Sequence, residues 1–329
     1  MAPTPHAPTP QPAGPTPSDP GTPSDPGTPD VLAALATEAR RPGGAEIDLL
    51  PTLELARLMN AEDRTVPEAV AAELPAIAAA VDAIVERMRR GGRLVYAGAG
   101  TAGRLGVLDA GECPPTFGTA PGQVVGLIAG GPAALTSAVE AAEDDRAAAV
   151  ADLDALDPTP ADTVIGVSAS GRTPYALAAV EHARALGALT VALTGNRGSV
   201  LGAAAEHRIE VVTGPELLAG STRLKAGTAQ KLVLNTVSTL VMVRLGKTYG
   251  DLMVDVRATN DKLRARSRRI VALATDTGPA DADAALAATG GRVKDAILLL
   301  LAGVDAPTAA ALLARHDGVL RNALREALG

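Results

Sequence analysis

The chain has 329 residues, 47% of them hydrophobic, and a formal charge of −7 at neutral pH. That is enough apolar material for one large or two modest cores, while one Phe, three Tyr, no Trp and the lack of a basic stripe argue against nucleic acid as a partner. The single cysteine, Cys113, allows no internal disulfide and the four histidines are scattered without metal-ligand spacing, so the composition predicts a cytoplasmic protein that acts on a small molecule without metal or cofactor.

Residues 1–30 alternate Pro with Ala, Thr, Ser and Asp, and Ser18 to Pro23 recurs as Ser24 to Pro29. Such a segment has too little apolar surface to offset ordering entropy, and it predicts a disordered tail. From Val31 to about Arg90, Ala, Leu and Ile recur at three- and four-residue spacing with breaks at Pro67 and Pro75, a pattern of helices wrapped around a sheet. Between Gly91 and about Leu245, short Val/Ile/Leu runs alternate with helical patterns. The candidate strands are Arg93 to Ala97, Gln123 to Ala129, Thr163 to Val167, Leu189 to Thr194 and Arg208 to Val212. The alternation predicts an α/β fold with a parallel sheet. Right-handed crossovers then place the turns that follow the strands along one rim, where ligands of open α/β sheets bind. The most apolar helix candidate, Leu232 to Leu245, is interrupted by Asn235 and Arg244, and no membrane span is expected. An irregular bridge, Asp251 to Asp261, leads into a basic helix, Lys262 to Arg269. From about Ile270 the Ala- and Leu-rich chain breaks at Gly278-Pro279, Gly290-Gly291 and Asp305-Ala306-Pro307, spacing that predicts a small appendage of three short helices. The expected organisation is thus a tail over 1–30, a main domain over 31–269 and a helical domain over 270–329.

Two turns concentrate the chemistry. Gly98-Ala99-Gly100-Thr101-Ala102-Gly103-Arg104 and Ser168-Ala169-Ser170-Gly171-Arg172-Thr173 each follow a strand and open a helix, the arrangement in which main-chain N–H groups and hydroxyls converge on an anion. The first is partly a G-x-G-x-x-G fingerprint, but the second strand ends in Gly130-Gly131-Pro132 rather than the acidic residue a dinucleotide site needs. Ser168, Ser170 and Thr173 offer three hydroxyls suited to a phosphate monoester; alternatively, Thr173 before Pro174 is an ordinary helix N-cap. Two cradles in one fold point to one sugar phosphate. Glu112 precedes Cys113-Pro114-Pro115 at the end of the first helix, where the prolines fix the backbone around either a positioned acid or base or a charged surface corner. Glu140, Glu143, Asp144 and Asp145 form a second acidic cluster, with Glu140 and Glu143 spaced for one helix face. Further on, Arg223 and Lys225 enter a helix N-terminus against its dipole, which favours an anion there.

Taken together these motifs resemble the N-acetylmuramic acid 6-phosphate etherase family, within the sugar isomerase (SIS) fold. The resemblance runs from Thr37-Glu38 through Glu62-Asp63, G-A-G-T-x-G-R-L, E-C-P-P-T, V-V-G-L-I-A-G-G, E-D, S-A-S-G-R-T-P-Y and K-A-G-T-A-Q-K-L-V-L-N to L-M-V-D-V-x-A-T-N, covering about Val31 to Arg269. The C-terminal part resembles, on weaker compositional grounds, the family's small ubiquitin-associated-like helical domain. The resemblance implies cleavage of the D-lactyl ether of N-acetylmuramic acid 6-phosphate to N-acetylglucosamine 6-phosphate and D-lactate in cell-wall sugar recycling. It makes Glu112 the proton donor and Glu143 the second catalytic glutamate, the base at carbon 2. Ser168, Ser170 and Thr173 would hold phosphate, Thr101 and Gly103 would complete the pocket, and Lys225 would be an extra contact. A partly desolvated Glu112 opposite an ionised Glu143 would supply the two protonation states needed. SIS relatives pair so that sites form near a subunit interface, and a homodimer is expected.

Two positions depart from the family pattern. Ala102 stands where Ser is usual, predicting the loss of a phosphate hydroxyl, and Gly111 stands where Ser commonly precedes the catalytic Glu, predicting a looser loop around Glu112. Two other readings fit the same fold: a non-catalytic sugar-phosphate sensor resembling the glucokinase regulatory protein, and an SIS aldose–ketose isomerase. The presence of both Glu112 and Glu143 favours the enzyme over the sensor, and E-C-P-P-T with K-A-G-T-A-Q-K favours the etherase over the isomerase.

Overall fold

The computed structural model describes residues 35–256, 258 and 260–329, so the expected tail over 1–30 lies outside the described residues. Five parallel strands, β1 (Leu94–Gly98), β2 (Val124–Ile128), β3 (Thr163–Ser168), β4 (Leu189–Thr194) and β5 (His207–Glu210), form one sheet in the order β2-β1-β3-β4-β5. Each begins and ends within two residues of its expected bounds. Strands β1, β3 and β4 are buried along their whole length, which is why they read as unbroken apolar runs rather than alternating ones.

The chain leaves β1 in one direction to β2 and returns to the other side of β1 as β3, so the order reverses between β1 and β3. Their register pairs Gly98 with Val167. Both predicted cradles therefore begin side by side, at the switch point where an open sheet leaves a crevice.

Helices α1 (Thr52–Asp63), α2 (Val66–Ala72) and α3 (Leu74–Arg89) precede the sheet, and Pro67 and Pro75 sit in the first turns of α2 and α3, where a missing N–H costs no helix bond. Four helices follow strands: α4 (Gly100–Phe117), α5 (Arg146–Asp154), α6 (Pro174–Ala185) and α7 (Val200–Ala204). The 20-residue α8 (Lys225–Arg244) packs against α2, α3 and α4 and buries Val233, Leu234, Val237, Val241 and Met242 in the main core. At the opposite end of the sheet from the cradles, Asp162 takes the Arg93 guanidinium at 3.0 and 2.8 Å and the Arg93 main-chain N–H at 2.7 Å, joining the starts of β1 and β3.

A short hairpin, β6 (Thr248–Tyr249) with β7 (Leu252–Met253), occupies part of the expected irregular bridge. Beyond it come α9 (Asp261–Thr275), α10 (Pro279–Ala288), α11 (Val293–Ala302), α12 (Ala306–Arg315) and α13 (Leu320–Leu328). Four helices follow Gly278 instead of the expected three, because Asp317 and Gly318, both at positive φ, make a further break. A separate apolar core joins Val254 and Val256 to Ile270, Val271, Ile297, Leu312 and Leu320, so the packing of the C-terminal helices starts ahead of residue 270. Among the described residues, no single helix is long and apolar enough to cross a membrane.

Candidate active site

The second cradle is a hydroxyl cluster. Ser168 Oγ lies 2.8 Å from Thr173 Oγ1 and 3.4 Å from Ser170 Oγ, and it accepts the Gly171 N–H at 3.0 Å. Thr173 occupies the N-cap position of α6, yet its side chain caps nothing and turns to Ser168 instead. The ordinary N-cap reading is thereby set aside: a residue type that normally satisfies the first helical N–H groups leaves them open. Gly171 has a reason to be glycine twice over, since its φ is +69° and a Cβ there would lie 2.3 Å from Ser199 Cβ.

The first cradle is equally open. Ala99, extended at φ −120°, precedes α4 and no side chain caps that helix. Thr101 is half-buried beside α8, its Cγ2 lying 3.2 Å from where a Cβ on Gly227 would stand. Gly103 plays another part than the one expected from sequence. Its N–H bonds to Ala99 O at 3.2 Å, and a Cβ would sit 2.6 Å from Gly98 O and 2.7 Å from Ile128 Cγ1. It is the close-packing residue between helix and strand rather than a lining residue. Two helix N-termini without side-chain caps thus meet at the ends of adjacent strands, and their partial positive charges and open N–H groups favour one anion between them.

Lys225 is not available to that anion in this conformation. Its ammonium is buried and lies 2.8 Å from Glu62 Oε2, while Arg41 Nε holds the other Glu62 oxygen at 2.7 Å. The hydrogen bond from Lys225, reinforced by Arg41, holds the Glu62 carboxyl below the usual carboxylate range. The dipole mismatch read from the sequence is answered by the protein itself: Glu216, fully buried, accepts the main-chain N–H groups of Lys225 and Ala226 at 2.9 Å each. Neither Glu216 nor Glu62 was assigned such a role from sequence; Glu216 follows a Gly-Pro turn with no motif of its own.

Glu143 lies in a 3-10 turn, Ala142–Asp144, that packs against α6, whose first residues follow the second cradle. Its side chain is exposed. Glu140 does not share a helix face with it, because Ala141 adopts a left-handed conformation (φ 59°) between them. Glu112 is also exposed, and it belongs to α4, which continues through Pro114 and Pro115 to Phe117. The predicted loop is therefore a helix, and the expected desolvation of Glu112 is absent from the isolated chain. Counting from Gly100, Glu112 lies roughly 18 Å along α4 at 1.5 Å per residue. The fold brings Thr101, Ser168, Ser170 and Thr173 to one rim, packs the Glu143 turn against the helix that leaves that rim, and carries Glu112 to the far end of α4.

The other buried polar groups near α4 are structural. Asp109 accepts from Tyr96 Oη at 2.7 Å, Asn235 Nδ2 at 2.6 Å and Ser238 Oγ at 3.1 Å, tying α4 to β1 and α8. Burial raises its carboxyl above the usual range in spite of those donors, and burial beside Asp109 pushes the Cys113 thiol up to about 12. Cys113 is thus a thiol at neutral pH, not a nucleophilic thiolate.

A family model described as the glucokinase regulatory protein N-terminal SIS domain matches residues 76–184, and one described as the SIS domain matches residues 136–240. An N-acetylmuramic acid 6-phosphate etherase of Streptomyces coelicolor is 72% identical over 298 residues, which cover 91% of this chain and 96% of that protein. The enzyme of that name from Rubrobacter xylanophilus is 60% identical over 90% of this chain and 97% of its own length. That from Serratia proteamaculans is 56% identical over 89% and 99%. The chain belongs to the N-acetylmuramic acid 6-phosphate etherase family.

Within the etherase family pattern, the two departures read differently in three dimensions. Ala102 is 8% exposed and packs into the main core beside the sheet, so a hydroxyl at this position would face the interior and not the cradle. Gly111 lies inside α4 and, among the described residues, nothing stands within 4 Å of a Cβ there. It lowers helix propensity without loosening a loop. A second concave region, of about 540 Å³, lies away from the two cradles between the main domain and the C-terminal helices and is lined by Arg89, Arg244, Lys247, Arg315 and His316. Three of those cations stand in the last turns of α3, α8 and α12, where the helix dipole favours them.

Proposed function

We propose that this chain cleaves the D-lactyl ether of N-acetylmuramic acid 6-phosphate by elimination followed by hydration, with Glu143 as base and Glu112 as acid. The observation that carries the reading is the convergence of the Ser168–Thr173 hydroxyl cluster with two open helix N-termini at the β1/β3 switch point. Phosphate anchored there by Ser168, Ser170, Thr173 and Thr101 places the ring-opened sugar along the rim. The carbon 2 proton is acidified by the neighbouring aldehyde, and the Glu143 carboxylate removes it. The carbon 3–oxygen bond breaks as Glu112 protonates the departing lactate oxygen, leaving a carbon 2–carbon 3 double bond. Water then adds at carbon 3 and a proton returns to carbon 2, giving N-acetylglucosamine 6-phosphate. Each positioned acid or base contributes about 100- to 10,000-fold.

The place of Glu112 on α4 favours a homodimer in which this residue serves the rim of the partner subunit. Its exposure, its distance along the helix and the 56% exposure of Leu108, one turn earlier on that face, support such a docked surface. Purified protein should release D-lactate from N-acetylmuramic acid 6-phosphate, and Glu112→Gln and Glu143→Gln should each abolish release. Mixing the two inactive variants after dissociation tests the dimer: random re-pairing restores roughly a quarter of the parent rate if the glutamates act across the interface, and none if they act within one chain. Binding of the sugar phosphate with no lactate release by the parent would instead favour the sensor reading.

A further inference from the structure

We infer that Arg104 is a positioning residue that holds the Glu143 segment against α4, a role that rests on the assignment of Glu143 as the base at carbon 2. The connection from Ala129 to Asp145 contains two 3-10 turns, Gly131–Leu135 and Ala142–Asp144, with irregular chain between them. It is anchored at its start by the Ala129 N–H on Gly98 O at 3.0 Å and at its end by Asp145, whose Oδ1 accepts the Ala148 N–H at 2.8 Å. Between these anchors, among the described residues, the hydrogen bonds that reach another element are those of Arg104. Its Nε donates to Leu135 O at 3.2 Å and its Nη2 to Ser137 O at 3.3 Å.

Those two carbonyls belong to residues two apart, Leu135 closing the first 3-10 turn and Ser137 in the irregular chain after it, and the planar fork of a guanidinium meets both at once. A lysine ammonium, whose three donors share one nitrogen, makes the pair far less well. After Ser137 the chain folds back so that Val139 packs over Gly130, with Val139 Cβ 2.9 Å from where a Gly130 Cβ would stand. It then turns through Ala141 at φ 59°, a conformation an alanine holds only when its surroundings impose it, into the turn that carries Glu143. Arg104 stands one turn beyond Thr101 on the helix that opens at the first cradle. Tying the Glu143 segment to that helix couples the position of the base to the phosphate anchor. The spacing between phosphate and carbon 2 is fixed by the sugar, so the base must keep its place to within hydrogen-bond reach.

The test compares Arg104→Ala and Arg104→Lys with the parent in lactate release and in amide hydrogen exchange. The expected result is a fall in kcat of about 10- to 100-fold, the scale of a misplaced reacting group, with KM changed far less. Exchange should rise in peptides spanning Leu135 to Asp144 and stay unchanged in β1 and β3. Added guanidinium should restore part of the Arg104→Ala turnover, which a folding defect would not allow. Unchanged exchange in the Leu135 to Asp144 peptides overturns the clamp. A raised KM with unaltered kcat overturns it too, making Arg104 a substrate ligand. If Glu143→Gln keeps full turnover, the base assignment fails and the positioning role falls with it, a failure distinguishable because exchange is read without substrate.

Discussion

Ser168 Oγ and Thr173 Oγ1 stand 2.8 Å apart across a turn that begins at the end of β3 and finishes at the start of α6. A threonine at an N-cap normally spends its hydroxyl on its own helix; here the hydroxyl is spent on a second hydroxyl, and both can rotate to donate to a bound anion. Hydrogen bonds to a charged group are worth about 1.5–3 kcal/mol each. Ser168→Ala or Thr173→Val should therefore lower kcat/KM about 10- to 150-fold, mainly through KM, while Thr173→Ser keeps most of it. Calorimetric titration with N-acetylglucosamine 6-phosphate checks the loss directly; unaltered affinity in both variants would remove this turn from the phosphate site.

The departures from the family pattern make a separable prediction. Ala102 packs into the core, so Ala102→Ser should leave affinity for the sugar phosphate within about twofold and lower stability by about 1–3 kcal/mol, the cost of a buried hydroxyl without a partner. Gly111→Ala fills open space in the interior of α4 and should raise stability by about 0.5–1 kcal/mol. Urea unfolding of the two variants beside the parent reads both signs, and a tighter-binding Ala102→Ser variant would show that this side chain reaches the cradle after all.

How much of this was legible in the sequence follows from the range of the interactions. Strands β1, β3 and β4 were, because burial on both faces makes each a continuous apolar run; the edge strand β5, His-Arg-Ile-Glu, is only partly buried and showed through the apolar residues around Ile209. The two strand-to-helix turns were, because glycine and hydroxyl residues at the end of such a run mark where a strand gives way to a helix. The helix around Glu112 was hidden by Pro114 and Pro115, which signal a break; α4 runs through both, forgoing the two bonds that their N–H groups would make one turn back, and ends at Phe117. Lys225 misled because its partners are remote: Glu62 is 163 residues away, and Glu216, nine residues back, caps the helix from inside the core. Arg104 read only as the last residue of the first turn, since its acceptors are main-chain carbonyls, which every sequence has and none advertises.

Asp109 is another such hidden partner, joined to Asn235 and Ser238 across 126 and 129 residues. Asp109→Ala leaves the Tyr96 hydroxyl and the Asn235 amide without this acceptor in the core, Ser238 falling back on the Asn235 carbonyl, and should cost about 2–4 kcal/mol. Asp109→Asn keeps one oxygen for Asn235 and Ser238, offers its amide to the Tyr96 oxygen and removes a buried charge. It should cost less than about 1.5 kcal/mol. Denaturant midpoints decide; equal losses from both variants would mean that the charge itself, not the acceptor geometry, holds α4 in place.

The Glu62 cluster sets a pH dependence whose sign is fixed. Its carboxyl is held below the ordinary value of 4.5 by the bonds from Lys225 and Arg41, so the folded state binds its proton less readily than the unfolded state does. The stabilisation is complete above the unfolded value and is lost as pH falls through the lower folded value. Glu62→Gln removes the charge at every pH and leaves the buried Lys225 ammonium without a counter-charge. The variant should therefore unfold well before the parent at neutral pH. The gap should narrow as the parent's own carboxyl is protonated below pH 4.5, until the two midpoints coincide in acid. Thermal unfolding of both proteins from neutral pH into acid measures this convergence. A gap that stays constant down through that range would show that Glu62 contributes by packing and not by charge, and that α1 is held to the start of α8 by something other than this ion pair.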